Sequence, residues 1–212
     1  MASYSELQQC VISGDKTRVK ELTQAFLDNG KLPKEILDEG LIPGMAVVGK
    51  KFEACEFFIP EMLLSARALN AGLDLLKPLL EASDVKPIAK VLIGTVQGDI
   101  HDIGKNLVSA MLRGGGFEVI DAGVGVSPDQ FVELAKETGV DIVGLSALLT
   151  TTMTAMKDTV QAFESDGSRN KIKIMIGGAP VTTKYAEEIG ADGYARNASA
   201  AVEMAKKLIG AR

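Results

Sequence analysis

A chain of 212 residues, 46% hydrophobic and 24% charged, can bury one large core or two small ones, which excludes a disordered protein. Its 23 basic residues against 28 acidic ones leave a net charge of -5, and no Lys/Arg run offers a surface for phosphate backbones, so no nucleic-acid partner is expected. No apolar stretch approaches the roughly 18 residues needed to span a bilayer, and the N-terminus lacks a basic segment followed by an apolar one, so the expectation is a cytoplasmic protein with no membrane partner.

From Ser5 to about Glu81 the apolar residues recur at helical spacing, as in Val19, Leu22 and Phe26, then Met62, Leu63, Ala66, Leu69, Leu73 and Leu76. Helices are predicted over 4–13, 16–29, 33–50 and 60–80. Ser13-Gly14-Asp15 can end the first and cap the second, and Pro33 and Pro60 suit first-turn positions. After Ser83-Asp84-Val85-Lys86-Pro87 the rhythm changes, which places a domain boundary between a helical domain, 1–86, and a second domain, 87–212.

In the second domain β-rich runs at 88–96, 117–121, 141–146, 172–176 and 193–195 alternate with amphipathic stretches that include 105–113, 128–138, 152–163 and 183–189. Alternation of this length predicts a parallel sheet covered on both faces, a doubly wound α/β domain. Gly30, Gly40, Gly139 and Gly190 fall where helices should end.

In such a sheet ligands bind at the carboxyl ends of the strands, near the point where strand order reverses. Three unusual segments sit at such ends: residues 94–106 after the first strand, 144–150 after the third and Gly177-Gly178-Ala179-Pro180 after the fourth. His101, the single histidine of the chain, lies in the first, so any imidazole chemistry must be its own. Asp99, two residues earlier, could fix its tautomer. Each feature alone has a plainer reading: His101 as a surface imidazole beside a helix starting at Gly104, Ser146 as a polar strand end, Gly177-Gly178 as a tight turn. Cys10 and Cys55, the two cysteines, have no metal-ligand spacing and support neither a disulfide framework nor a zinc site.

The combination is more specific. Asp99-x-His101-x-x-Gly104, then Ser146-x-Leu148 after residues 105–145, then Gly177-Gly178 after residues 149–176, resembles the signature of domains that bind cobalamin base-off with a protein histidine beneath cobalt. The fuller segment Gln97-Gly98-Asp99-Ile100-His101-Asp102-Ile103-Gly104-Lys105-Asn106 resembles the branch containing methionine synthase and the methylotrophic corrinoid proteins. Gly49 to Pro60 also aligns without a gap to the segment of the methionine synthase cap that shields the cobalt-bound methyl group. The resemblance spans residues from about 5 to 210.

The fold implied is an N-terminal four-helix bundle cap followed by a flavodoxin-like, doubly wound, parallel-sheet cobalamin-binding domain. The implied function is that of a corrinoid protein carrying a methyl group on cobalt between a substrate-specific methyltransferase and a corrinoid:acceptor methyltransferase, with a reductive activator of Co(II) as a further partner. By resemblance, His101 is the axial cobalt ligand, linked through Asp99 to the Thr152 hydroxyl, where methionine synthase has serine. Gly98, Ile100 and Asp102 wrap the lower face of the corrin beside Gly104 and Leu148. Ser146 and Thr150 contact the nucleotide tail, whose slot Gly177 and Gly178 border, and Ala198 lies near the corrin or its side chains. Phe52 and Ile59 take the shielding positions, although without the resemblance both read simply as bundle core. No homocysteine, folate or reactivation module is read, so a complete methionine synthase is not expected. A radical-isomerase subunit, a B12-dependent sensor and a flavodoxin-like nucleotide binder are the alternatives.

Overall fold

The computed structural model describes residues 3–82 and 87–210, and the boundary segment 83–86 therefore lies outside the described residues. The chain divides into two compact units. One is built on the helices up to Pro87 together with Gly114–Gly116, the other on Ile88–Arg113 and the chain from Phe117 onward.

In the helical unit α1 (Tyr4–Ser13) is capped by Ser3 and ends at Gly14, whose φ of +73° suits a glycine C-cap. Asp15 then accepts from the Arg18 N–H and opens α2 (Lys16–Asp28). The third predicted helix is one run in three parts: α3 (Pro33–Ile36), a π-helical turn (Leu37–Leu41) and α4 (Ile42–Glu53). Pro43 explains the widened turn, because it has no N–H to give to the Glu39 carbonyl. That carbonyl instead accepts from Gln8 Nε2 at 2.7 Å. Gly40 sits inside this run and does not end a helix as the sequence predicts. A Cβ there would meet Leu7 Cδ2 at 2.5 Å, so the glycine serves a close approach to α1. The last helix, α5 (Ile59–Ala82), has Pro60 in its first turn. Most of the predicted apolar stripe is core: Val19, Leu22, Phe26, Met62, Ala66, Leu69 and Leu76 are buried, while Leu63 and Leu73 are half-buried at its edge.

The second unit runs β1 (Lys90–Val96), α6 (Ile103–Gly114), β2 (Glu118–Val126), α7 (Pro128–Thr138), β3 (Ile142–Ser146), α8 (Met153–Ser165), β4 (Lys173–Gly177), α9 (Thr183–Glu188), β5 (Gly193–Ala195) and α10 (Ala198–Leu208). The strands pair in parallel in the order β2-β1-β3-β4-β5, the doubly wound arrangement expected. β1 is buried almost throughout, as a strand covered on both faces must be. Phe131 and Phe163, both fully buried, anchor α7 and α8 in the same core. Among the described residues no helix is long and apolar enough to cross a membrane.

Candidate functional site

β1 and β3 are neighbours at the point where strand order reverses, so the loops leaving their carboxyl ends converge on one crevice. The register aligns Thr95, Ser146, Gly177 and Ala195 in a single row across that edge. Two of the predicted residues are thus adjacent because parallel strands place their ends side by side.

β1 finishes in a tight turn closed by the Asp99 N–H on the Val96 carbonyl at 3.1 Å. Gly98 has φ of +83° in that turn, a conformation that favours glycine. The turn buries Asp99 completely and leaves 47% of the His101 side chain exposed. Asp99 Oδ1 accepts the His101 backbone N–H at 3.0 Å and lies 2.7 Å from the ring Nδ1. Its Oδ2 accepts the backbone N–H groups of Leu148 and Leu149, at 2.8 and 3.3 Å, and the Thr152 hydroxyl at 2.8 Å. One carboxylate therefore ties the loop after β1 to the loop after β3.

Burial pushes the Asp99 carboxyl up, but hydrogen bonds from the backbone N–H groups of His101 and Leu148, the His101 ring and the Thr152 hydroxyl outweigh it. The net effect holds Asp99 well below the usual carboxylate range. Ionised Asp99 assigns the ring hydrogen to Nδ1, which leaves the Nε2 lone pair for a ligand; among the described residues Nε2 has no hydrogen-bond partner. The Thr152 oxygen also lies 2.9 Å from the Leu149 carbonyl, and its single hydrogen can serve only one of its two acceptors at a time.

The surroundings fit a large ligand. Ile100, Ile103, Val124, Leu148 and Leu149 are between 43% and 77% exposed, on the segments that carry or bond to Asp99 and His101. Apolar exposure of this kind marks a surface meant to be covered. A Cβ added to Gly104 would meet nothing within 4 Å, so protein packing does not demand glycine there. Among the described residues no three His, Cys, Asp or Glu side chains could together hold a metal ion. A lone imidazole suits a metal whose remaining donors arrive with it in a macrocycle.

The other predicted residues separate into groups. Ser146 is half-buried at the end of β3, Thr150 is exposed in the following loop, and Asp102 is exposed and accepts from Asn106 Nδ2 at 3.0 Å. Gly177 closes β4. Gly178, with φ of +136°, has no room for a side chain, because a Cβ would stand 1.8 Å from the Ala147 carbonyl oxygen. Ala198 begins α10 and is buried, behind the Asn197 cap. Phe52, half-buried near the end of α4, and Ile59, 45% exposed at the start of α5, belong to the helical unit and are not part of the Asp99 network.

Sequence reasoning missed Thr95, which is fully buried and donates its hydroxyl to the His101 carbonyl at 2.9 Å. The available signal was a polar residue near the end of a strand that is apolar from Val91 to Gly94.

Two family models, each described as a B12 binding domain, match this chain, one over residues 89–203 and one over residues 4–77. The chain belongs to the family of B12-binding corrinoid proteins. Its cofactor is accordingly cobalamin or a related corrinoid. This corrinoid protein is 47% identical to dimethylamine corrinoid protein 1 of Methanosarcina acetivorans, over 98% of its own length and 99% of the relative's. A solved cobalamin-binding protein of Desulfitobacterium hafniense superposes with a TM-score of 0.79 at 32% identity, over 98% of this chain and 99% of that one. A chain of the methanol:cobalamin methyltransferase complex of Methanosarcina barkeri superposes with a TM-score of 0.85 at 30% identity, over 97% of this chain and 79% of that one.

Proposed function

We propose that this corrinoid protein shuttles a methyl group between a substrate-specific methyltransferase and a second methyltransferase that passes it to tetrahydrofolate or a thiol coenzyme. His101 would hold the cobalt through Nε2, in place of the cofactor's own base. The observation that carries the reading is the buried Asp99 carboxylate, which orients a half-exposed imidazole outward while binding the loop that follows β3. The relatives support the methyl cargo: one is named for dimethylamine, and another solved chain comes from a methanol:cobalamin methyltransferase complex. A methylamine or methanol is therefore the donor class proposed.

When bound, the corrin supplies a cobalt centre that accepts and releases the methyl group. The chain's own contribution is to hold and shield. Asp99 keeps the imidazole in one tautomer and one direction, Thr95 fixes the backbone beneath it, and Thr152 gives the carboxylate its hydroxyl donor. Ile100, Leu148 and Leu149 offer apolar contact that excludes water from the ligating nitrogen.

Isotope transfer tests this reading. Reconstituted protein, reduced to Co(I) with titanium(III) citrate, would be offered carbon-13-labelled dimethylamine, monomethylamine and methanol in turn, each with its substrate methyltransferase. Label should reach the protein-bound cofactor with one donor and only when both proteins are present. Tight cobalamin binding with no transfer from any donor would overturn the carrier function while leaving the family membership intact.

A further inference from the structure

Lys105, close behind the His101 loop, has no part in the proposed reaction, and it is placed unusually. It stands in the first turn of α6 with only 2% of its side chain exposed. Its ammonium reaches both oxygens of Asp121, at 2.6 and 2.5 Å, and Asn106 Oδ1 at 2.8 Å. Three acceptors match its three hydrogens, as a buried ammonium requires. Such pairs commonly contribute little net stability, because taking the ammonium out of water offsets its attraction to the Asp121 carboxylate, which is itself 36% exposed. Stability alone does not explain a lysine at this position.

The partners of the pair show what it fixes. At Asp121 the β1–β2 ladder stops being regular: the register shifts between Ile93 and Gly94 and again between Gly94 and Val96. Asp121 Oδ1 also accepts the Gly123 N–H at 2.8 Å, and Gly123 and Gly125 have φ of +88° and +66°. The strand end bent in this way delivers the Gly125 N–H to the Asp99 carbonyl at 3.0 Å. Bulges of this kind re-aim a strand end beside a functional site. On the other side Asn106 donates its backbone N–H to the Asp102 carbonyl at 2.7 Å and its Nδ2 to the Asp102 carboxylate at 3.0 Å. Both flanks of His101 are thus held by groups that meet at the Lys105 ammonium.

We propose that the Lys105–Asp121 ion pair is a positioning device for the His101 loop, clamping the bent end of β2 to one side of the loop and Asn106 to the other. Lys105 and Asp121 are positioning residues that set the direction of the imidazole through the backbone at Asp99 and Asp102. The inference rests on His101 being the axial ligand, but its geometric half concerns the apoprotein alone and is measured separately.

The test uses two variants of the full chain. Lys105→Met with Asp121→Leu replaces the pair by apolar groups of similar size, and Asp121→Asn keeps the shape while removing the charge, should the double variant fold poorly. In the apoprotein, amide hydrogen exchange at Gly123 and Gly125 should quicken about tenfold or more, with amides of β3 and β4 unchanged, because the loss is local. In cobalamin-loaded protein, a smaller fraction of Co(II) should show histidine-nitrogen coupling, and cobalamin should dissociate faster. Unchanged protection at Gly125, or a uniform rise in exchange with a lower melting temperature, overturns the clamp. Lost protection with the histidine-coordinated fraction intact overturns its role in positioning. If wild-type protein itself shows no histidine coordination, the axial-ligand reading fails instead, and the exchange result stands independently.

Discussion

Asp99 is the residue on which the site turns: its Oδ1 holds His101 within the loop after β1, and its Oδ2 collects every hydrogen bond described above between that loop and the loop after β3. Its folded pKa is depressed, so its ionisation stabilises the fold above the ordinary carboxylate value and that stability is lost as pH falls toward the folded value. Asp99→Asn should therefore cost about 2–4 kcal/mol near neutral pH, as expected for breaking a buried, charged hydrogen-bond set. The gap between wild type and variant should begin to narrow below about pH 4, where the carboxyl of the unfolded chain takes up its proton, and should keep narrowing as pH falls toward the folded value. Urea unfolding at a series of pH values measures this, and a gap that stays constant from pH 7 to pH 3 would show that charge is not what matters. The spacing of Asp99, His101 and Ser146 made this pairing legible in the sequence. Thr95 and Lys105 were not legible, because a single threonine in a strand and a lysine on an amphipathic helix both read as unremarkable until their burial is known.

At the scale of elements, periodicity placed most helices and strands, and its failures have local causes. The end of β2 was missed because Ala122-Gly123-Val124-Gly125 has glycines where a strand pattern wants branched side chains, and its place depends on partners distant in sequence, β1 and the His101 loop. The π-helical turn was missed because helical spacing of apolar residues tolerates one extra residue per turn. The helix α10 was not read, although its buried Ala198, Ala201, Val202 and Ala205 recur at helical spacing, because small alanines mark a buried face weakly. Gly104 supplies the test for α6. A methyl group there meets open space, and alanine is the better helix former by about 0.5–1 kcal/mol. With Gly104 at the proposed corrin contact, Gly104→Ala should leave the apoprotein's melting temperature equal or slightly higher yet weaken cobalamin binding. Undiminished affinity in titrations with cobalamin would mean that Gly104 is not at the corrin contact.

For the whole molecule, the two compact units carry two distinct B12-binding family matches, so both belong to the corrinoid apparatus. The two-part architecture was readable from the change of rhythm near Pro87, because helix and parallel-sheet periodicities differ over dozens of residues. His101 is the one imidazole of the chain, so its proposed ligation of cobalt can be tested directly. Protein without a polyhistidine tag, grown with nitrogen-15 histidine and loaded with cobalamin, would be reduced to Co(II) and studied by electron paramagnetic resonance. Coordination by His101 predicts that the axial superhyperfine pattern changes from the triplets of nitrogen-14 to the doublets of nitrogen-15. Triplets that persist in the labelled protein would show that the axial nitrogen comes from elsewhere, and would contradict the account.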